Sequence, residues 1–152
     1  LIYSYNEEKN TKHGLVRIFN TYGPNMNPND GRVIINFLVQ LKEGKALTVH
    51  GDGKQTRSFC YVDDLIEGIY RYALKTDLAY PVNLGNDKEF TILALAHEVQ
   101  KLSSKKIEIE FVDRPVDDPP QRNPDLNLAK GILGWTPKIS LHEGLQKLLK
   151  TL

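Results

Sequence analysis

The chain has 152 residues, of which 40% are hydrophobic, and its 20 basic and 19 acidic residues leave a formal charge of +1. This composition predicts one soluble, globular domain, and no run of eighteen apolar residues suggests a membrane span. The near-neutral charge argues against nucleic-acid binding, which uses a basic surface. Cys60 is the single cysteine, so we expect a reducing, cytoplasmic location and a buried thiol.

The first ten residues, LIYSYNEEKN, have a helical composition but no capping residue in front of them. A helix normally begins with a side chain that accepts hydrogen bonds from its first amides. The chain also lacks an initiator methionine and a basic, apolar leader. We therefore expect it to begin inside a helix and to be one part of a longer protein.

Short apolar runs alternate with helical repeats along the rest of the chain, which predicts an α/β fold. The predicted strands cover residues 14–19, 46–51, 81–86 and 107–113. The first is expected to be buried on both faces of a parallel sheet. The last is expected to be half exposed, because apolar residues as far as Phe111 alternate with glutamates.

Helices are predicted over residues 32–44, 61–75, 91–104, 126–134 and 145–152. Gly44 stands where a C-terminal cap belongs, and Thr91 and Asp125 are candidate N-caps. Ser140 and Glu143 match the S-x-x-E capping box. Several prolines in residues 114–125 predict a loop there.

The loop RIFNTYGPNMNPNDGRV contains the first candidate site. Ligands of open α/β sheets bind beyond the carboxyl ends of strands, where Asn20 offers an amide and Arg32 a cation. The alternative is a plain turn in which asparagine and glycine supply unusual backbone angles. Both interpretations stay open on spacing alone.

Two further arginines are candidates for anion binding. Arg57 follows the glycine turn of GDGKQTRSF, and Arg122 lies in DDPPQRNPD. The planar guanidinium suits phosphate oxygens, but an arginine in such a context is more often a solvated side chain or part of a surface ion pair, and local sequence favours that interpretation for both residues. Asp117, Asp118 and Asp125 are the nearby partners for such a pair. The two glycines of this turn do not make a dinucleotide-binding fingerprint, which needs a third.

Other titratable residues suggest no catalytic cluster. Asp63 and Asp64 resemble an acid/base pair, yet their place at the start of a helix is better explained by the helix dipole. The four histidines are scattered, and no spacing of cysteine and histidine predicts a metal site.

The chain resembles, in order and spacing, the C-terminal half of the extended short-chain dehydrogenase/reductase enzymes that act on nucleotide sugars. The motifs that carry the resemblance are RIFNTYGP, NDGRV, LTVHGDGKQTRSFCYVDDLIEG, PVNLGN and DDPPQRNPDLNLAKGILGWTP. Within that group the chain is most similar to the UDP-glucuronate decarboxylases. The resemblance covers nearly all of the chain from Tyr3 onward.

This resemblance implies the C-terminal part of a Rossmann-type NAD-binding fold together with a smaller domain that binds the nucleotide sugar. Residues 1–45 would end the Rossmann-type domain and begin the substrate region. Residues 46–152 would be mainly substrate domain, with interleaved Rossmann strands. The catalytic Tyr-x-x-x-Lys motif is expected upstream of Leu1, so the chain by itself is expected to be inactive. A homodimer of the full-length protein is also expected.

The resemblance also assigns site residues. Around the cofactor, which is NAD, it places Thr21, Asn27 and Arg32. Residues expected at the UDP-sugar substrate are Tyr5, Asn20, Arg32, His50, Gln55, Arg57 and Arg122, the last two as the arginines of the UDP phosphates. The chain departs from many decarboxylases at Asn25 and Asn27, where they carry a cation and an imidazole, and at His50, where they carry tyrosine.

Two other functions remain open at this point. The same fold serves nucleotide-sugar 4,6-dehydratases and 4-epimerases, and the residues that separate these reactions are expected outside this chain. A non-enzymatic module that binds a sugar nucleotide is the alternative of a different class.

Overall fold

The computed structural model describes residues 1–75, 80–104, 106–115 and 119–152, and these form an α/β structure. The helices of the described residues are α1 (Ile2–Lys9), α2 (Val33–Glu43), α3 (Val62–Ala73), α4 (Ile92–Gln100), α5 (Asn127–Leu133) and α6 (Leu141–Leu149). The strands are β1 (Val16–Ile18), β2 (Thr21–Tyr22), β3 (Leu47–His50), β4 (Thr56–Ser58), β5 (Cys60–Tyr61), β6 (Val82–Leu84), β7 (Glu89–Thr91), β8 (Ile109–Val112) and β9 (Gln121–Arg122).

Most of the strand pairs are parallel, as an α/β fold requires. Parallel pairs join β1 to β6, β2 to β5 and β3 to β8. A three-stranded sheet has the order β7-β4-β9, in which β4 runs antiparallel to β7 and parallel to β9. The predicted α/β class is therefore confirmed.

The helix boundaries follow the capping residues in the sequence. Gly44 ends α2 in the left-handed region, with φ of 68°. Thr91 Oγ1 accepts a hydrogen bond from Ala94 N at 3.0 Å, and Ser140 Oγ accepts one from Glu143 N at 3.2 Å. The carboxylate of Asp125 accepts from Asn127 N at 2.8 Å, although Leu126 is the N-cap residue of α5. Gly44, Thr91 and Ser140 are thus the caps that the sequence predicted, whereas Asp125 lies one residue before the observed N-cap of α5.

Two hydrophobic clusters form the core. The larger brings α2, β3, α4 and α6 together, with Phe37, Leu95 and Leu145 at its centre. The smaller joins α3, β6 and α5 around Trp135, and it contains Cys60. Cys60 is buried, which confirms that prediction, and burial raises the pKa of its thiol to about 12.

Two burial predictions were wrong. Ile18 of β1 is 55% exposed, and no residue of β1 is fully buried, so the strand is not covered on both faces as predicted. Phe111 is 56% exposed, and burial does not alternate along β8, where Glu110 and Phe111 are both exposed. A period of two identifies residues that share a face, but it does not show whether another element covers that face.

Five short strands lie outside the four predicted ones: β2, β4, β5, β7 and β9. Strand β9 lies inside the run predicted as a loop. Prolines at 119, 120 and 124 surround β9 without interrupting it, and their fixed φ is compatible with an edge strand. Together β7 and β9 flank β4, which carries Arg57.

Candidate functional site

A cavity of about 360 Å³ lies where β2, β3 and β4 meet the first turn of α2. Its wall contains most of the residues that the sequence singled out: Asn20, Thr21, Arg32, His50, Gln55 and Arg57. Apolar side chains complete the lining, including Met26, Phe59 and Ile92. The cavity is therefore mainly apolar with a few polar groups, which is the usual character of a small-molecule site.

Arg57 is the most deeply placed cation of the cavity wall. The residue is 8% exposed, and its guanidinium donates to the carbonyl oxygens of Thr56 and Pro119, at 2.7 Å each. These bonds hold the planar, cationic group in one orientation. A fixed, partly desolvated cation of this kind attracts an anionic ligand more strongly than a surface arginine does.

Arg122 lies beside Arg57 in the three-stranded sheet. The parallel pairing of β4 with β9 places the two residues directly opposite each other, so their side chains leave the same face. Arg122 is exposed and is not among the residues that line the cavity. Its proposed ion-pair partners Asp117 and Asp118 lie outside the described residues, while the carboxylate of Asp125 accepts from Asn127 N instead. The structure thus brings two arginines to one sheet face.

The loop after β1 has both of the properties that the sequence left open. Asn25 and Gly31 take positive φ values of 65° and 80°, so the loop does contain the unusual turns. Asn20 and Thr21 nevertheless line the cavity. The amide of Asn20 donates to the carbonyl oxygen of Ser58 at 3.3 Å, which ties this loop to the strand of Arg57.

Arg32 lies at the N-cap position of α2 and is held by Asp30. Its Nε donates to Asp30 Oδ2 at 2.7 Å, its Nη2 forms an ion pair with the same oxygen, and its Nη1 reaches Thr21 O at 3.4 Å. The side-chain hydrogen bond from Arg32 holds the pKa of Asp30 below its ordinary value. The cation is thus oriented along the mouth of the cavity while remaining largely exposed.

The Asp30–Arg32 pair should respond to acid in a defined direction. Because the folded pKa of Asp30 is lowered, the pair contributes above the ordinary aspartate pKa and is lost as the pH falls through the folded value. We expect Arg32→Ala to raise the pKa of Asp30, measured by NMR titration of its carboxyl carbon. The lowered pKa of Asp52, which depends on hydrogen bonds from Lys54, should not change. An unaltered Asp30 titration would contradict the assigned contact.

Gln55 presents a hydrogen-bond acceptor inside the wall. The residue is 6% exposed, and its Nε2 donates to the carbonyl oxygen of His50 at 2.9 Å. That bond determines the amide orientation, because the reverse orientation would place two oxygens together. Oε1 is then buried with no hydrogen-bond partner among the described residues. A buried acceptor of this kind favours a ligand that supplies an N–H or O–H group.

His50 also lines the cavity, and a hydrogen bond to a backbone carbonyl holds its ring. Nδ1 lies 3.0 Å from the carbonyl oxygen of Asp113. Since a carbonyl only accepts, Nδ1 carries the hydrogen, and Nε2 is the acceptor of the neutral ring.

Besides Arg122, two predicted residues lie outside this cavity. Tyr5, on α1, packs edge-on against His13 with ring centroids 5.6 Å apart, and it borders a separate depression. Asn27 is exposed, and its Oδ1 accepts from Asn29 N at 2.9 Å. Their assigned roles stay predictions.

The spacing Tyr-x-x-x-Lys does occur once on α1, at Tyr5 and Lys9. Lys9 Nζ is 2.7 Å from Glu8 Oε1, and neither Tyr5 nor Lys9 lines the cavity. The geometry therefore does not support a catalytic role for this pair.

The apolar lining was not anticipated. Met26, Phe59 and Ile92 come from three distant parts of the chain, and apolar residues carry no local signal that separates a cavity wall from a core. Within the described ranges, no group of three or more histidine, cysteine, aspartate or glutamate side chains is arranged to hold a metal ion. No helix in the described part of the chain has both the length and the apolar character to cross a membrane.

Known proteins with similar sequences include UDP-glucuronic acid decarboxylases. UDP-glucuronic acid decarboxylase 6 of Arabidopsis thaliana is 48% identical over 145 residues, which are 95% of this chain and 42% of the relative. The chain thus spans less than half the length of that relative.

Solved structures with the same fold include two epimerases. UDP-glucuronic acid 4-epimerase from Bacillus cereus, in complex with UDP-glucuronic acid and NAD, aligns with a TM-score of 0.87 and 29% identity over 97% of this chain and 47% of its own. UDP-glucose 4-epimerase from Thermotoga maritima, solved with UDP-glucose, aligns with a TM-score of 0.92 and 26% identity. The alignment covers 99% of this chain and 48% of the epimerase. These alignments confirm the predicted fold class. Residues 1–85 also match the family model described as the NAD dependent epimerase/dehydratase family, and the chain belongs to that family.

Proposed function

We propose that this chain is the nucleotide-sugar-binding portion of an NAD-dependent UDP-glucuronate decarboxylase. The observation that carries the proposal is the cavity, which gathers Asn20, Gln55 and the buried Arg57 into one wall. The 48% identity to the Arabidopsis UDP-glucuronic acid decarboxylase supports the choice of reaction. In the complete enzyme, UDP-glucuronate would lose its carboxylate as carbon dioxide and become UDP-xylose, through a 4-keto sugar.

Within this proposal, each wall residue has a role that its chemistry suits. Arg57 and Arg122 bind the diphosphate, because two guanidinium groups on one sheet face match its two negative charges. Gln55 Oε1 accepts a hydrogen bond from the nucleoside, and Asn20 orients the loop at the sugar. His50 and Tyr5 are proposed to contact the substrate as the resemblance implies.

The residues near the first turn of α2 fit a cofactor with phosphate groups. Thr21 offers a hydroxyl and Arg32 an exposed cation at the mouth of the same cavity, and Asn27 belongs to the same loop. When bound, NAD supplies the reversible hydride transfer that oxidises and later reduces the sugar carbon. The chain's own contribution is to bind and orient the substrate, while we propose that the catalytic tyrosine and lysine lie in the segment upstream of Leu1.

Three coarser proposals concern the domains and the homodimer, which rest on the resemblance, and the location, which rests on the single cysteine. Residues 1–45 complete the Rossmann-type domain, and residues 46–152 form mainly the substrate domain. The full-length protein is a homodimer that acts in the cytoplasm.

The reaction is tested with the longer protein that contains this chain. UDP-glucuronate and NAD should yield UDP-xylose and carbon dioxide, detected by mass spectrometry and by release of labelled carbon dioxide. A 4-keto-6-deoxy sugar would identify a dehydratase, and UDP-galacturonate would identify a 4-epimerase like the Bacillus cereus neighbour. In calorimetry, the isolated chain should bind UDP, and it should catalyse no reaction. If the longer protein binds UDP but catalyses none of these reactions, a non-enzymatic binding module is favoured.

A further inference from the structure

The position of Arg122 depends on a strand that has little intrinsic register. Strand β9 consists of Gln121 and Arg122, and both residues are exposed. Where neither face of a strand is buried, hydrophobic patterning does not select one register, and a slip of one residue moves each side chain to the opposite face. Such a slip would take Arg122 away from Arg57.

Glu89 connects the strands on both sides of Arg57. It lies on β7, at one edge of the sheet β7-β4-β9, and its carboxylate reaches across β4 to β9 at the other edge. Oε1 accepts from Thr56 Oγ1 at 2.7 Å, and Gln121 Nε2 lies 2.9 Å from each carboxylate oxygen. The pKa of Glu89 is lowered first by the bond from Thr56 and then by that from Gln121, as expected for a carboxylate that holds its partners as an anion.

The register places these contacts on the face opposite to the arginines. Glu89 pairs with Ser58, and Thr56 pairs with Gln121, so these four side chains share one face. Arg57 pairs with Arg122 on the other face. In the observed register, the bond between Glu89 and Gln121 therefore occurs together with the placement of Arg122 beside Arg57.

We propose that Glu89 is a positioning residue that sets the register of β9 and thereby places Arg122 next to Arg57. This inference rests on the proposed function only for its consequence, which is tighter binding of a nucleoside diphosphate. The structural part concerns the strands alone and can be measured without a ligand.

Electrostatics and strand register predict opposite results for Glu89→Ala. If Glu89 contributed only its charge, removing that negative charge from the neighbourhood of an anion site should strengthen UDP binding. Loss of the register should instead weaken UDP binding by the same factor as Arg122→Ala, about fivefold for one exposed ion contact. In an Arg122→Ala background, Glu89→Ala should cause no further loss of UDP affinity, because Glu89 acts through Arg122. Glu108→Ala, an exposed glutamate near β8, is the matched control.

Two measurements on the 152-residue chain decide the proposal: calorimetry with UDP, and NMR cross-strand NOEs between the backbones of Arg57 and Arg122. We expect Glu89→Ala to lose these NOEs while core signals persist, and Glu89→Gln to retain part of them. The proposal would be overturned if Glu89→Ala left the NOEs unchanged or tightened UDP binding. It would also be overturned if Glu89→Ala weakened UDP binding as much in the Arg122→Ala background as in the wild type. If the wild type binds no UDP, the proposed function fails, and the NOEs alone then decide the role of Glu89.

Discussion

Replacing Arg57 with alanine is expected to weaken UDP binding by about 100-fold, or roughly 3 kcal/mol. The guanidinium is 8% exposed and anchored to the carbonyl oxygens of Thr56 and Pro119, so it meets the diphosphate already oriented and partly desolvated. Little conformational entropy remains to be lost when the ligand binds. Calorimetric titration of the wild-type and variant chains with UDP measures the difference.

A second variant separates the contribution of the planar guanidinium donors from that of the positive charge, and a third variant is the control. Arg57→Lys keeps the cation but loses the planar donors, and we expect about tenfold weaker binding. Arg17→Ala removes an arginine from the exposed part of β1, outside the cavity, and should leave UDP affinity unchanged. Denaturation of each variant checks that the bonds of Arg57 to the backbone are not needed for folding. A folded Arg57→Ala chain with wild-type affinity would refute the phosphate role.

Asp64→Ala is expected to lower the free energy of unfolding by about 2–5 kcal/mol. Asp64 is 7% exposed, and its Oδ2 accepts from the backbone amides of Lys138 and Ile139 at 2.9 and 2.8 Å. These bonds attach the segment before α6 to the first turn of α3. Truncation would leave two partly buried N–H groups without an acceptor, and urea denaturation measures the cost.

Asp63 is the matched control for Asp64. Both residues lie in the first turn of α3, as the sequence predicted, and both interact favourably with the helix dipole. Asp63 is exposed, so Asp63→Ala should cost only about 0.5 kcal/mol. Equal losses for the two variants would show that the dipole, and not the bonds to residues 138 and 139, accounts for the stabilisation. Neither aspartate lines the cavity, so the structure gives no support to an acid/base pair there.

Local signals explain what could be predicted of the fold. Thr91, Ser140 and Gly44 act on amides or carbonyls within a few residues, so a reader of the sequence can place the ends of α4, α6 and α2. The parallel pairing of β1 was also predictable, because strands that alternate with helices run in one direction. Strands as short as β7 and β9 leave no comparable pattern.

The candidate site was likewise predictable only in part from the sequence. The sequence indicated the types of its polar groups, since arginine and asparagine beside glycine turns are suited to an anionic ligand. It left open whether Arg57 and Arg122 were surface ion pairs, because their separation along the chain says nothing about their separation in space. The resemblance resolved that choice as an expectation, and the register of β4 with β9 brings the two residues together.

By itself, the sequence determined the α/β class, the principal helices and the segments that carry polar site residues, because each of these depends on neighbours close along the chain. Tertiary structure decided which residues meet: Asn20 with Ser58, Glu89 with Gln121, and Asp64 with the amides before α6. It also decided that Tyr5 and Asn27 lie apart from the cavity. The physical reason is that these contacts join residues on different elements, whose approach is set by the packing of the core and the pairing of the strands.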